Sequence, residues 1–214
     1  MRWGWSLGQM ADNSGTTDRE AVLASAALQQ RRLAHDELLT RLSEADAAEA
    51  VDRIAAAIAG ALDDGGKVIF FGNGGSAADA IHISAEFVGR FRADRRPLAA
   101  VALGTNAAIT SALANDYSFE DALSRELEAV ANAGDVALAV STSGSSPNVL
   151  AALERATTIG LTTVALTGAG HKLDGLAEHL VVVESNVVAL IQEMHGVIGH
   201  IICELVEAKL GLDR

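Results

Sequence analysis

Apolar residues recur along the chain at two spacings, and these spacings divide it into helices and strands. Residues 17–40 and 44–63 place apolar side chains at helical intervals, which predicts two amphipathic helices before any strand. Short apolar runs predict strands at 67–71, 98–103, 136–140, 162–166 and 180–183. Helical patterns follow at 105–114, at 119–130 and from 191 to about 211. This alternation predicts an α/β protein with a mostly parallel sheet covered on both faces, preceded by a helical hairpin.

Composition and charge limit the class of protein. With 214 residues, half of them hydrophobic, we expect a disordered tail at 1–17 and a single domain at 18–214. The net charge of −12 argues against nucleic-acid binding, and it requires local N–H and hydroxyl groups to hold any anionic ligand. No apolar stretch reaches the roughly 20 residues of a membrane span, so we expect no membrane contact. The single cysteine, Cys203, predicts core packing and a reduced, cytoplasmic location.

A glycine turn follows the first predicted strand. Asn73, Gly74 and Gly75 allow positive φ and close backbone approach, and we expect Ser76 to cap the next helix. The free N–H groups at such a helix start form a site for an anion, most often phosphate. His82 and Glu86 lie four residues apart further along, so they share one face of this helix.

A second polar loop follows the strand at 136–140. It is rich in hydroxyl groups from Ser141 to Ser146, and Pro147 suits the first position of a helix that Ser146 would cap. Because open α/β sheets bind ligands at this end of their strands, the loop predicts a second anion site.

The last predicted helix carries polar residues on an apolar background. Gln192, Gly196 and His200 are spaced by four and share a face. Glycine costs roughly 1 kcal/mol against alanine inside a helix, so we expect something to pack or bind closely at Gly196. Together with His82 and Glu86, this face offers either nitrogen and oxygen ligands for zinc or a metal-free acid–base pair with a positioning glutamine.

These motifs, taken together, resemble a known family. The stretch 71–80, His82 with Glu86, Asn115-Asp116, the loop 141–148, and 191–195 with His200 resemble sedoheptulose 7-phosphate isomerase (phosphoheptose isomerase) of the sugar isomerase, or SIS, domain group. The resemblance extends over roughly residues 20–210. It implies a flavodoxin-like, five-stranded parallel sheet flanked by helices, and a homotetramer with active sites at subunit interfaces. It also implies conversion of sedoheptulose 7-phosphate to D-glycero-D-manno-heptose 7-phosphate, an early step toward activated heptoses.

The resemblance also implies roles for individual residues. Glu86 and His200 would be the catalytic acid–base pair, and His82, Glu86, Gln192 and His200 would bind one zinc ion per subunit. We expect the phosphate at loop 141–146 and the sugar hydroxyls at the glycine turn. The expected substrate-binding residues are Asn73, Gly74, Gly75, Ser76, Glu86, Arg90, Asn115, Asp116, Ser141, Thr142, Ser143, Ser146 and Gln192.

One departure and two alternatives accompany this interpretation. Ala189-Leu190 stand where the family often has a polar residue and an arginine, which bears on how the sugar is recognised. The chain could instead be a non-catalytic SIS-fold protein, such as the phosphosugar-binding or replication-initiator-associating relatives, but those lack the acid–base pair that Glu86 and His200 supply. It could also isomerise another phosphosugar.

Overall fold

The structure is a computed structural model that describes residues 16–213. The tail expected at 1–17 lies outside the described residues, except for its last two positions, which begin the first helix. The chain divides into two compact units, Met1–Glu37 and Leu38–Arg214. The sheet and the candidate site belong entirely to the second unit.

The described residues form helices and strands close to the predicted ones. The helices are α1 Thr16–Leu42, α2 Ala45–Asp63, α3 Gly75–Val88, α4 Ala107–Asp116, α5 Phe119–Val130, α6 Pro147–Ile159 and α7 Val188–Lys209. The strands are β1 Val68–Gly72, β2 Ala100–Ala102, β3 Val136–Ser141, β4 Thr162–Gly168 and β5 His179–Val183.

All five strands are parallel, and their order in the sheet is β2-β1-β3-β4-β5. This order confirms the flavodoxin-like sheet. The chain places β2 on one side of β1 and then β3 on its other side. The direction of winding therefore reverses between the neighbouring strands β1 and β3. The glycine turn after β1 and the polar loop after β3 therefore flank the crevice where open α/β sheets bind ligands.

Alternate residues of each central strand feed separate cores on the two faces of the sheet. Phe70 and Leu138 face a core shared with α2, α3 and α7, whereas Phe71 and Ala139 face a core shared with α5 and α6. Strands buried on both faces read as continuous apolar runs, which explains why the sequence located them. By length and composition α7 could cross a membrane, but its apolar face lies in the first core, as in a core helix of a soluble protein.

A glycine in α7 allows that helix to approach α3 closely, but it is not the one that the sequence indicated. A Cβ at Gly199 would lie 2.6 Å from Cδ1 of the buried Ile83 on α3. A Cβ at Gly196 would meet no described atom within 4 Å, so nothing in the described chain packs closely there, and binding at Gly196 stays a prediction. The helix spacing therefore identified the correct helix but not the glycine at which α3 packs.

This difference between the two glycines can be measured. Both Gly199→Ala and Gly196→Ala gain the same helix propensity, so their comparison isolates the contact with Ile83. We expect Gly199→Ala to have a free energy of unfolding about 1–3 kcal/mol below that of Gly196→Ala, because the added methyl overpacks the core. Urea unfolding measures both values, and equal stabilities would contradict the packing described here.

Candidate active site

The glycine turn connects β1 to α3 through a backbone conformation that favours glycine. Gly74 has φ of 56° and occupies the N-cap position, and α3 begins at Gly75. Ser76 is therefore the second residue of the helix and is buried, which corrects the expectation that it caps α3. Helix α3 starts earlier than predicted because Gly74 can adopt the left-handed conformation that a serine would resist.

Two asparagine side chains join the two loops across the crevice. Asn73 Nδ2 donates to Asn148 Oδ1 at 2.8 Å, and Asn148 Nδ2 donates to Asn73 Oδ1 at 2.9 Å. Asn148 is buried in the first turn of α6 and was not among the expected site residues. Its position directly after the serines and Pro147 was the only sequence signal. The reciprocal pair fixes the amide of Asn73, which is expected to bind substrate.

Hydroxyl groups of the loop after β3 accept hydrogen bonds from backbone N–H groups of the same loop. Ser141 Oγ accepts a hydrogen bond from the Gly144 N–H at 3.1 Å, and Ser143 Oγ accepts one from the Ser145 N–H at 3.3 Å. Ser146 occupies the N-cap position of α6 as predicted, but its side chain makes no capping hydrogen bond.

Both helices that start at the crevice begin without a side-chain cap, as α2 and α7 also do. No side chain caps α3 or α6, whereas Asn106 caps α4 and Ser118 caps α5. In α3 the N–H groups of Ser76 and Ala77 donate to carbonyl oxygens of the turn, and in α6 the N–H of Val149 donates to Ser146. Within the described chain, the N–H groups of Gly75 and Asn148 are the ones that remain for an anionic ligand at the two helix starts.

A cavity of about 170 Å³ opens beside the glycine turn. It is lined by Gly72, Asn73, Gly74, Ala77, Gly104, Thr110, Phe119, Ala122, Leu123, Glu126 and Asn148. Asn115 and Asp116 are not among these lining residues. They lie exposed at the end of α4, where Asn115 Nδ2 donates to Asp116 Oδ1 at 2.8 Å. Arg90 is also exposed, just beyond the end of α3.

The expected acid–base pair lies on two adjacent helices, and His82 stands between its members. His82 Nε2 is 2.9 Å from His200 Nε2, and His82 Nδ1 is 3.9 Å from Glu86 Oε1. The ring of Phe91 covers His200 at a centroid distance of 5.2 Å. The Glu86 side chain is 25% exposed and that of His82 is 51% exposed, so the described chain leaves this group open to solvent.

Gln192 lies at the other end of the same helix pair. Its amide contacts Gly75 so closely that a Cβ at Gly75 would collide with it. Gln192 and His200 are eight residues apart on α7, which corresponds to about 12 Å along the helix axis. The described residues hold no group of three or more His, Cys, Asp or Glu side chains placed to bind a metal. Within one chain, the four expected zinc ligands therefore do not close around a single ion.

A small buried cavity lies between the contact of Gln192 with Gly75 and the contact of His200 with His82. Asp79 and His195 line it, and its volume of about 10 Å³ is close to that of one water molecule. Among the described residues, Asp79 Oδ2 and both ring nitrogens of His195 lack a hydrogen-bond partner. Burial lowers the pKa of His195 to about 4, and a contact with the Thr167 backbone that falls short of hydrogen-bond geometry opposes this only weakly. Burial raises the pKa of Asp79, against a smaller opposing effect of His82.

The SIS domain family profile matches residues 32–168. The fold, the two loops at the crevice and this match agree, and the chain belongs to the SIS domain family. Its relatives in that family include a phosphoheptose isomerase from Paramagnetospirillum magneticum, 49% identical over 182 residues that cover 85% of this chain and 94% of that protein.

Solved structures of phosphoheptose isomerases have the same fold as this chain. The phosphoheptose isomerase of Neisseria gonorrhoeae superposes with a TM-score of 0.77 at 34% identity, covering 89% of this chain and 98% of that one. The phosphoheptose isomerase of Francisella tularensis superposes with a TM-score of 0.80 at 30% identity, covering 88% of this chain and 98% of that one.

Proposed function

We propose that this protein is an aldose–ketose isomerase that interconverts sedoheptulose 7-phosphate and D-glycero-D-manno-heptose 7-phosphate. The observation that carries the proposal is the meeting of α3 and α7 at His82 and His200, which brings Glu86 and His200 to one seam below the ligand-binding edge of the sheet. The phosphoheptose isomerases similar to this chain support the same substrate class.

The reaction moves one proton between two carbons, and the proposed residues supply the groups that it needs. Starting from the ketose, the Glu86 carboxylate takes a proton from C1 while His200 donates a proton to the C2 carbonyl oxygen, which gives a neutral enediol. Glu86 then returns its proton to C2, and His200 accepts the proton of the C1 hydroxyl as that carbon becomes the aldehyde. Protons and electrons balance, so no external oxidant is required.

The two loops at the crevice would hold the part of the substrate that does not react. The hydroxyls of Ser141, Thr142, Ser143 and Ser146 and the uncapped start of α6 suit the phosphate. Asn73, fixed by Asn148, suits a sugar hydroxyl. Binding energy at this end would orient C1 and C2 toward the acid–base pair.

Removing either member of the pair tests the assignment. We expect Glu86→Gln and His200→Ala each to lower kcat for sedoheptulose 7-phosphate by about 10²- to 10⁴-fold, the usual contribution of general acid–base catalysis. Glu204→Gln is the matched control, because Glu204 lies one turn beyond His200 on α7 with its side chain 46% exposed. Near-normal turnover in the first two variants would refute the mechanism.

A panel of ketose phosphates separates the competing functions. Higher kcat/KM for a pentulose or hexulose phosphate than for the heptulose would mean a different substrate. Binding without turnover on every member of the panel would favour the non-catalytic alternative.

We also propose that the active site is completed by a second copy of the chain in a homo-oligomer, expected to be a tetramer. Gly75 and Glu86 are eleven residues apart on α3, about 16 Å along its axis, so the glycine turn and the acid–base pair lie at different levels of one chain. An apolar groove of about 400 Å³ between the end of α1, α2 and α7 gives a surface that a second copy could cover. Leu39, Leu42, Val51, Ile198, Ile201 and Leu205 are among the residues that line it.

A charge placed in this groove should break the assembly. Ile201 is 40% exposed in the groove, and we expect Ile201→Glu to lower the mass measured by light scattering. Val130, which is 37% exposed at the end of α5, provides a matched substitution outside the groove, and Val130→Glu should keep the wild-type mass. A wild-type protein that is monomeric at assay concentrations would contradict the proposal.

Zinc is the cofactor that we propose for the completed site, with His82, Glu86, Gln192 and His200 as its ligands. Imidazole nitrogen and carboxylate or amide oxygen are donors that zinc accepts, and bound zinc would polarise the substrate carbonyl. Because the four ligands do not close around one ion within a chain, the zinc proposal depends on the second copy.

Metal analysis of purified protein tests this cofactor. We expect up to one zinc per subunit, loss of the metal in His82→Ala, and retention in His179→Ala, since His179 begins β5 and lies on neither of the helices that carry the proposed ligands. Chelation should remove the metal and reduce turnover. Full activity after complete removal of zinc would leave the metal-free acid–base pair as the correct interpretation.

A reduced, cytoplasmic location is also proposed. Cys203 is free and buried, and burial raises the pKa of its thiol to about 12, which keeps it unreactive.

A further inference from the structure

We infer that a buried ion pair, Arg95–Glu207, positions both members of the acid–base pair, and we call it the Arg95–Glu207 clamp. Arg95 Nε donates to Glu207 Oε1 at 2.6 Å, and the two side chains are only 2% and 3% exposed. Neither residue is expected to touch substrate, so both are positioning residues. The inference rests on the proposed function for its kinetic test and has a second test that does not depend on turnover.

The Arg95 end of the clamp holds the end of the helix that carries Glu86. Arg95 Nη2 donates to the Glu86 carbonyl oxygen at 2.9 Å, and Nη1 donates to the Phe87 carbonyl oxygen at 2.8 Å. The last carbonyl groups of a helix have no partner within it, so a buried guanidinium is an effective substitute. The backbone of Glu86 is thereby tied to a side chain that is itself fixed by α7.

The Glu207 end of the clamp holds the connector that leaves α3. The Glu207 carboxylate accepts hydrogen bonds from the N–H groups of Phe91, Arg92 and Ala93 at 3.3–3.5 Å. Burial alone would raise the pKa of Glu207, but the hydrogen bonds from Arg95 and the backbone outweigh it, so the pKa lies below its ordinary value. The carboxylate is therefore charged at neutral pH and can hold all of these donors.

The same connector places an aromatic ring on His200. The Phe91 N–H is bound to Glu207 while the Phe91 ring covers the His200 imidazole at 5.2 Å. His200 and Glu207 are seven residues apart on α7, so they lie on the same face about 10 Å apart along the axis. The clamp thus sets Glu86 through its backbone and His200 through the covering ring.

A neighbouring ion pair has similar chemistry without these contacts and serves as the matched control. Arg92 Nη1 lies 2.8 Å from Glu204 Oε1, again between the connector and α7, but the two side chains are 71% and 46% exposed. An exposed pair of this kind contributes little to stability. The two pairs therefore separate the position of the clamp from the mere presence of an ion pair.

The kinetic test compares conservative variants of the two pairs. Arg95→Lys keeps the positive charge, but one ammonium cannot reproduce the planar set of donors to Glu207 and two carbonyl groups. We expect its kcat for sedoheptulose 7-phosphate to fall about tenfold or more, as a small misplacement of a catalytic group can cause, with KM within about threefold of wild type. Glu207→Gln should behave similarly. The double variant should lose no more than about twofold beyond the worse single variant, because both residues act through one clamp.

The controls and the failure criteria are equally specific. Arg92→Lys and Glu204→Gln should retain kcat within about twofold. Thermal unfolding measured alongside confirms that each variant is folded at the assay temperature, and the milder Arg95→Lys remains available if Glu207→Gln is not. A kcat within twofold of wild type in folded Arg95→Lys, or an equal loss in Arg92→Lys, would overturn the inference.

A spectroscopic test does not require turnover. The ring current of Phe91 shifts the His200 Hε1 resonance, which proton NMR can assign by its loss in His200→Gln. We expect this resonance to move in Arg95→Lys and to stay in Arg92→Lys. An unmoved resonance in folded Arg95→Lys refutes the clamp. Absence of turnover in the wild type on every phosphosugar refutes only the proposed function.

Discussion

The close packing of α3 against α7 is the constraint on which the candidate site depends. Gln192 meets Gly75, Gly199 receives Ile83, and His200 meets His82, so the contacts advance in the same direction along both helices. The helices therefore run side by side, and every expected catalytic side chain lies along their shared seam. Since β1 leads directly into α3, the position of this seam is fixed by the sheet.

The length of the seam has a consequence for how the site can work. The two loops proposed to bind ligand lie where α3 begins, and Glu86 lies about 16 Å further along this helix. Enediol chemistry needs a site from which water is excluded, yet Glu86 and His82 are partly exposed in the described chain. The second copy that we propose would meet both requirements, because it would cover the group and bring loops and acid–base residues from different chains to one level.

The sequence predicted most of the fold, but within the candidate site it predicted only the arrangements that are local along the chain. Strands buried on both faces leave uninterrupted apolar runs, and residues four apart on a helix share a face, so the sheet and the His82–Glu86 pairing could be read locally. The close approach at Gly199 could not, because it depends on Ile83 in another helix. Asn148 and Arg95–Glu207 were missed for the same reason: their partners are separated from them by 75 and 112 positions.

Asp135 and Glu207 are both buried carboxylates that bind a cationic side chain and backbone N–H groups, but they hold different parts of the fold. Asp135, just before β3, accepts from Lys67 Nζ at 2.6 Å, from the Lys67 N–H just before β1, and from the Asn132 N–H in the preceding loop, at the end of the sheet opposite the crevice. Glu207, on α7, likewise accepts from an arginine side chain and from backbone N–H groups, in the connector that follows α3. Buried ion pairs are often replaceable by apolar residues without loss of stability, so we attribute to these two pairs the role of fixing one arrangement of the chain. At Asp135 that arrangement is a strand junction, whereas at Glu207 it is the relative placement of the two helices that carry Glu86 and His200.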